Sequence, residues 1–264
     1  EKYRDLPGPE FLEAVLAYYD IHFEIPEEDF RRLPKEGPYI TISNHPLGGI
    51  DGVLLLKLML ARRSDYKIIA NFLLQRIEPL KPYILPVNPF ENRKDTRSSI
   101  LGFKKAMAHL QEGHPLGIFP AGEVSTYRDG RLIVDKPWEE AALKLIRRAG
   151  VPVVPIYFHA RNSHLFYRLS RVHDIFRTAK LPSELSTQRH RSIKVRIGQP
   201  ISVRVQQEHE TLEEFSELLR RKTYILANPY QKERLIDQLP GTIKIPKAPR
   251  RVASTAVSRF PCPD

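Results

Sequence analysis

The chain has 264 residues, of which 41% are hydrophobic and 28% are charged, as in a soluble globular protein with a sizeable core. Its one cysteine, Cys262, excludes an internal disulfide and a zinc site built from several thiolates. Lys and Arg number 42 against 31 Asp and Glu, a net charge of +11. That excess favours a polyanionic partner: nucleic acid, an anionic lipid surface or a phosphate-bearing substrate.

Apolar runs typical of strands alternate with amphipathic segments typical of helices along most of the chain. After a helical segment at 9–19, strands are predicted at 38–43, 66–70, 83–87, 116–119, 151–158 and 193–197, and helices at 52–63, 96–112, 138–149 and 212–227. This alternation predicts an α/β fold with a mostly parallel central sheet flanked by helices. The first helix either packs on the sheet or lies on a lipid surface.

Three regions are expected from composition. Residues 1–35 form a helical or interfacial segment, 36–238 the main domain, and 239–264 an extended or disordered tail rich in Pro, Arg and small polar residues. Lys57 interrupts the longest apolar run, which argues against a conventional membrane span. A single cysteine fits a reducing cytoplasmic compartment, and the basic charge fits peripheral attachment to the inner face of the cell membrane.

The stretch SNHPLGGID ends a predicted strand with polar side chains. His45 precedes a proline and therefore belongs to the loop. Gly48 and Gly49 can fold that loop back, so that Asp51, near the start of the next helix, approaches His45. Two readings stay open: an acid/base pair, or a helix-capping Asp51 beside a histidine that bonds a backbone carbonyl.

A second polar loop favours the functional reading. The stretch IFPAGEVS again ends a predicted strand in a Pro-Gly turn, followed by Glu123 and Ser125. The carboxyl ends of parallel strands meet at one edge of an α/β sheet, where ligands bind. Two polar loops after two apolar strands therefore predict a site at that edge.

Four blocks, SNHPLGGID, PVNPFENR, IFPAGEVS and GVPVVPIYF, resemble in order and spacing those of the PlsC-like glycerolipid acyltransferase superfamily. They span residues 40–158, and the later IKVRIGQPIS resembles the segment that usually follows. The resemblance implies transfer of a fatty acyl group from an acyl thioester, acyl-CoA or acyl-ACP, to the hydroxyl of a lyso-lipid in membrane lipid biosynthesis. It implies no cofactor beyond that co-substrate, no metal, and an anionic membrane surface as partner.

The resemblance also implies the roles of individual residues. His45 would be the general base, and Asp51 would hold the imidazole tautomer and stabilise the imidazolium. No nucleophilic serine is required, in agreement with the absence of a Gly-x-Ser-x-Gly motif. The predicted substrate-binding residues are Asn44, Gly48, Gly49, Arg93, Arg97, Phe119, Pro120, Gly122, Glu123 and Ser125.

The chain departs from the family pattern in two places. Five residues separate His45 from Asp51, where most members have four. Ala121, Glu123 and Val124 stand where the family has Glu, Thr and Arg. Because an arginine suited to bidentate phosphate contact is missing, we expect the lyso-lipid, a lyso-aminolipid or a lysophospholipid, to have a head group other than that of lysophosphatidic acid, such as an N-acylated amino acid with a 3-hydroxy acyl chain. Glu123 either meets a cationic or amide head group or is a turn carboxylate or helix cap.

Two functions from other classes remain as alternatives. A nucleic-acid-binding protein would also be basic, but no clustered Lys and Arg with interleaved aromatics and no known module appear. A catalytically inactive lipid-binding module of the same fold is the other alternative. Retention of both His45 and Asp51 weighs against it.

Overall fold

The computed structural model describes residues 3, 5–87, 97–128, 132–163, 166 and 191–228. Its strands are β1 (Ile21–Glu24), β2 (Ile40–Ser43), β3 (Lys67–Asn71), β4 (Ile84–Val87), β5 (Leu116–Ile118), β6 (Thr126–Arg128), β7 (Leu132–Val134), β8 (Val153–His159) and β9 (Arg191–Ile197). Seven of them form one sheet in the order β1-β9-β8-β2-β5-β3-β4, and β6 pairs with β7 in a separate hairpin.

The central strand of the large sheet is β2, which lies between β5 and β8. Ile40 is in parallel register with Leu116 on one side and with Val153 on the other. Among the pairs of this sheet within the described ranges, the antiparallel one joins β8 to β9. The sheet is therefore mostly parallel, as predicted, and the carboxyl ends of β2, β5 and β8 lie at the same edge.

Helices cover both faces of the sheet. They are α1 (Gly8–Tyr18), α2 (Glu27–Arg31), α3 (Gly49–Leu60), α4 (Arg97–Gln111), α5 (Glu140–Ala149), α6 (Val203–Gln207) and α7 (Leu212–Tyr224), with short 3₁₀ turns at Phe72–Arg76, Glu78–Tyr83 and Ile225–Ala227. Apolar residues of α1 and α3 form one core cluster with inward-facing residues of β8. Apolar residues of α4, α5 and α7 form the second core cluster, which includes Ile40 and Ile42 of β2. The α/β fold class is thus confirmed.

The first 35 residues contribute to the same sheet and core. Leu12 and Leu16 of α1 are buried in the cluster that α3 contributes to, so this helix packs on the body of the protein. Strand β1 pairs in parallel with β9, with Phe23 opposite Ile193. A buried carboxylate, Asp29 of α2, completes the connection by an ion pair to β9. The segment is structurally integrated with the residues that follow it.

Several boundaries differ from the predicted ones. Helix α3 begins at Gly49 rather than at residue 52, because Gly48 adopts a positive φ of 75° and serves as its N-cap. Strand β1 and the β6–β7 hairpin were not predicted. The predicted tail at 239–264 lies outside the described residues. In the parts of the chain that the structure covers, no helix has the length and apolar character needed to cross a bilayer.

Candidate active site

The loop that leaves β2 is anchored to β8 by Asn44. The Asn44 side chain donates from Nδ2 to the carbonyl oxygen of Phe158 (3.0 Å) and accepts the Phe158 backbone N–H at Oδ1 (2.8 Å). The residue is buried, with both ends of its amide bonded to protein backbone. It was predicted to bind substrate; here its contacts fix the start of the His45 loop.

Asp51 organises the rest of this loop. Its Oδ2 accepts the backbone N–H groups of Leu47 (2.7 Å) and Gly48 (3.1 Å) and lies 3.0 Å from His45 Nδ1. The side chain is fully buried in the first turn of α3, whose first residue is Gly49. Asp51 is therefore both a helix-capping residue and the partner of His45. The five-residue spacing is accommodated by the positive φ of Gly48.

This contact defines the state of the His45 ring. An ionised carboxylate only accepts hydrogen bonds, so Nδ1 carries the proton and Nε2 is the basic nitrogen. Nε2 makes no hydrogen bond to any residue that the structure describes, and the side chain is 17% exposed. Burial raises the pKa of Asp51, whereas the hydrogen bonds from His45, Leu47 and Gly48 lower it. The pair leaves one basic nitrogen available to a ligand.

Phe119 and the turn that follows it support the ring from a neighbouring strand end. The Phe119 ring stacks on His45 with centroids 4.2 Å apart. Its carbonyl accepts the Gly122 N–H (3.0 Å), and Gly122 has a φ of 66°, which favours glycine. The Pro120 carbonyl accepts the Glu139 N–H (2.8 Å). Of the predicted residues, Phe119 therefore contacts His45, and Pro120 and Gly122 belong to the turn that follows Phe119.

Sequence reasoning missed Asp135, a buried carboxylate at this site. Its Oδ1 accepts the Ser125 hydroxyl (2.6 Å) and the His45 backbone N–H (3.2 Å). Ser125 in turn donates its backbone N–H to the His45 carbonyl (2.9 Å). Ser125 was predicted to bind substrate, but it is buried and its hydroxyl is donated to Asp135. The sequence signal that could have indicated Asp135 is an aspartate that directly follows the short apolar run LIV.

The structure also describes Glu123 and Val124, two of the residues that differ from the family pattern. Glu123 lies 2.6 Å from Lys136 Nζ, and the two side chains are 37% and 36% exposed. Its carboxylate is thus paired with a protein cation. The alternatives expected for Glu123, contact with a cationic or amide head group or a turn or helix-capping carboxylate, stay predictions. Val124 is buried against Phe166 and Ile133.

The two arginines of the second block remain without a described side chain. Arg93 lies outside the described residues, and Arg97 is the first residue of α4, described for its backbone alone. Throughout the ranges that the structure covers, no group of three or more His, Cys, Asp or Glu side chains is arranged to hold a metal ion.

Comparisons with known proteins agree with this architecture. A profile of the acyltransferase family matches residues 1–232. The chain is 33% identical over 232 residues to a lyso-glycine lipid O-acyltransferase of Bacteroides thetaiotaomicron, across 84% of this chain and 82% of that protein. This chain belongs to the PlsC-like glycerolipid acyltransferase family. It is an O-acyltransferase enzyme, and the resemblance seen in the sequence is confirmed.

Other members of the family give the same picture. A lyso-glycine lipid O-acyltransferase of Phocaeicola vulgatus is 30% identical over 227 residues, which cover 83% of this chain and 78% of that protein. The crystal structure of the lysophosphatidic acid acyltransferase PlsC from Thermotoga maritima superposes with a TM-score of 0.50 at 16% identity. That match covers 81% of this acyltransferase and 78% of PlsC, and it shows a common fold.

Two adjacent glycines offer a test of the loop geometry. Gly48→Ala places a side chain at φ 75° and ψ −123°, a strained conformation that costs about 1–3 kcal/mol. We expect the strain to displace the His45 loop and to lower kcat/KM about 10- to 100-fold. In the matched variant Gly49→Ala, the added Cβ meets nothing within 4 Å, so the loop keeps its conformation and the loss of activity is much smaller. Initial rates and thermal unfolding check both variants, and equal losses would contradict the prediction.

Proposed function

We propose that this acyltransferase transfers a fatty acyl group from an acyl thioester to the hydroxyl of a lyso-lipid. The observation that carries the proposal is the His45 Nδ1 contact with buried Asp51, which leaves Nε2 of a partly exposed ring as a base. The names of the two lyso-glycine lipid O-acyltransferase relatives support an acceptor whose head group is an amino acid.

The proposed reaction needs one base and no covalent enzyme intermediate. His45 Nε2 takes the proton of the acceptor hydroxyl as its oxygen attacks the thioester carbonyl. When the tetrahedral intermediate collapses, the C–O ester bond is retained and the C–S bond breaks. The proton then passes from the imidazolium to the departing thiolate. Asp51 stabilises the imidazolium while it exists, because its Oδ2 is 3.0 Å from Nδ1.

The surroundings of the base support a head group unlike glycerol phosphate. Val124, where the family has arginine, packs against Phe166, so this position offers no cation. The net charge of +11 supports an anionic membrane surface and an acidic or phosphate-bearing acyl carrier, acyl-ACP or acyl-CoA. In this proposal the enzyme works at the inner face of the cell membrane as a peripheral protein, with no resident cofactor and no nucleic acid partner.

The test is a matched panel of acceptors. Wild-type enzyme receives long-chain acyl-CoA or acyl-ACP with an N-(3-hydroxyacyl)glycine, with lysophosphatidic acid, or with the analogue of each that lacks the hydroxyl. Ester formation is followed by mass spectrometry and thiol release by absorbance. We expect the hydroxylated glycine lipid to be acylated fastest and the deoxy analogues to give no ester. If no acceptor is acylated while vesicles bind the protein, the inactive lipid-binding module replaces this proposal.

A further inference from the structure

The Asp135 carboxylate lies behind the histidine rather than at its ring. It directly follows β7 and is fully buried. Two groups donate hydrogen bonds to its Oδ1: the backbone N–H of His45 at 3.2 Å and the hydroxyl of Ser125 at 2.6 Å. Oδ2 has no partner among the residues that the structure describes. Every hydrogen bond that the described residues make with this carboxyl group is thus donated to it, and an ionised carboxylate, which only accepts, can make all of them.

His45 is consequently held on both sides. Asp51 accepts from the ring nitrogen Nδ1, and Asp135 accepts from the backbone nitrogen of the same residue. The carbonyl of His45 accepts the Ser125 N–H (2.9 Å), so the backbone is fixed at both polar atoms. A ring that must meet a substrate hydroxyl within hydrogen-bonding distance benefits from such fixation, because displacement by about 1 Å can cost 100-fold in rate.

Asp135 has a further contact and several charged neighbours. Its backbone N–H donates to the Tyr224 hydroxyl of α7 (3.0 Å). Burial raises the pKa of Asp135, and the hydrogen bonds from Ser125 and His45, with the charge of a His45 imidazolium, oppose that rise. Among the described residues, Asp51 contacts the His45 ring, Tyr224 contacts Asp135, and the Arg220 guanidinium lies over the Tyr224 ring.

We propose that Asp135 is a positioning residue for His45. As an ionised carboxylate, Asp135 fixes the backbone of the base and favours its imidazolium. This inference rests on the proposed role of His45 in acyl transfer. Asp51 and Asp135 together place two carboxylates at His45, one at the ring nitrogen Nδ1 and one at the backbone nitrogen. The imidazolium that forms when the acceptor is deprotonated is then stabilised from both sides.

The experiment follows the His45 ring directly, so that its result does not depend on turnover. Histidine-labelled wild type, Asp135→Asn and Ser125→Ala are titrated by NMR, and the His45 signal is assigned by its loss in His45→Ala. Asp135→Asn removes the charge and keeps an oxygen for both donors. We expect the titration midpoint of His45 to be lower than in the wild type, because a nearby negative charge no longer favours the imidazolium. In Ser125→Ala the charge remains, and the midpoint does not fall.

Kinetics and a structural control complete the design. For Asp135→Asn we expect kcat to fall roughly tenfold with KM for the acyl donor nearly unchanged. Tyr224→Phe removes the hydroxyl that accepts the Asp135 N–H but leaves the carboxylate, so it controls for loss of stability. Its His45 midpoint stays at the wild-type value.

Two results would overturn the role of Asp135. One is a folded Asp135→Asn protein with the wild-type midpoint and kcat. The other needs no variant at this position: a carboxyl-carbon titration of labelled wild type that finds Asp135 protonated at pH 7. Failure of the proposed function is distinct from both, since it appears as absence of wild-type turnover on the acceptor panel, whatever the His45 midpoint does.

Discussion

Replacement of His45 by alanine is expected to lower kcat for acyl transfer at least about 100-fold. The variant loses Nε2, the nitrogen that takes the acceptor proton in the proposed reaction. Its fold should persist, because Asp51 Oδ2 still accepts the backbone N–H groups of Leu47 and Gly48. The measurement is the initial rate of ester formation at saturating donor and acceptor, with thermal unfolding recorded on the same samples.

The chain supplies a matched control in a second histidine and aspartate pair. His22 Nε2 lies 2.8 Å from Asp20 Oδ1 at the protein surface, and the His22 side chain is 71% exposed. His22→Ala should leave the rate unchanged. The proposed mechanism would be contradicted if folded His45→Ala retained more than about a tenth of the wild-type rate, or if both variants lost activity equally.

The largest expected effect on stability comes from Asp29→Ala. Asp29 is fully buried in α2, and Arg196 Nε lies 2.6 Å from its Oδ2, with Arg32 Nη1 2.8 Å from its Oδ1. Its Oδ2 also accepts the Ile197 N–H at 3.1 Å. Loss of the carboxylate leaves the buried guanidinium of Arg196 without its counter-ion, which typically costs about 3–5 kcal/mol. That is a large fraction of the roughly 5–15 kcal/mol by which a folded domain is stable.

A surface ion pair of the same helix provides the comparison. Glu27 and Arg31 form an exposed pair in α2, and exposed pairs contribute at most about 1 kcal/mol. Urea unfolding of Asp29→Ala and Glu27→Ala should therefore show a much lower midpoint for the first variant and little change for the second. Similar midpoints for the two would show that the buried carboxylate stabilises the fold no more than a solvated one does.

The sheet was predictable where long apolar runs met turn signals. Strands β2 and β8 are buried along nearly their whole length because helices cover both of their faces, and the sequence displays this as runs rich in apolar residues. Strand β1 was missed because its sequence, IHFE, contains no apolar run, and because it gains its stability from β9, whose residues come about 170 positions later. The β6–β7 hairpin was missed because its first strand lies in the polar stretch that follows β5, where a loop was expected.

The contact between His45 and Asp51 was predictable from the sequence, and the hydrogen-bond partners of the neighbouring polar residues were less so. The loop motif indicated His45 and Asp51, and the structure brings them to 3.0 Å. The alternatives of cap and partner of His45 are compatible in the structure, because Asp51 Oδ2 accepts the backbone N–H groups of Leu47 and Gly48 and also lies 3.0 Å from His45 Nδ1. Asn44 and Ser125 were expected to face substrate, yet their partners are Phe158 and Asp135. Which way a polar side chain at a strand end turns depends on neighbours that are distant in sequence.

The parallel pairing of β1 with β9 has a consequence for the order in which the chain folds. The hydrogen bonds of this edge, and the Asp29 to Arg196 ion pair 167 residues apart in sequence, require both ends of the domain. During synthesis, which proceeds from the N-terminus, α2 and β1 must wait until residues 191–197 have left the ribosome. Strands β2 and β3 both pair with β5, so these pairs can form once residue 118 has left the ribosome. We expect the β1 edge of the sheet to form last. Until then Asp29, which is buried in the folded protein, stays exposed to water.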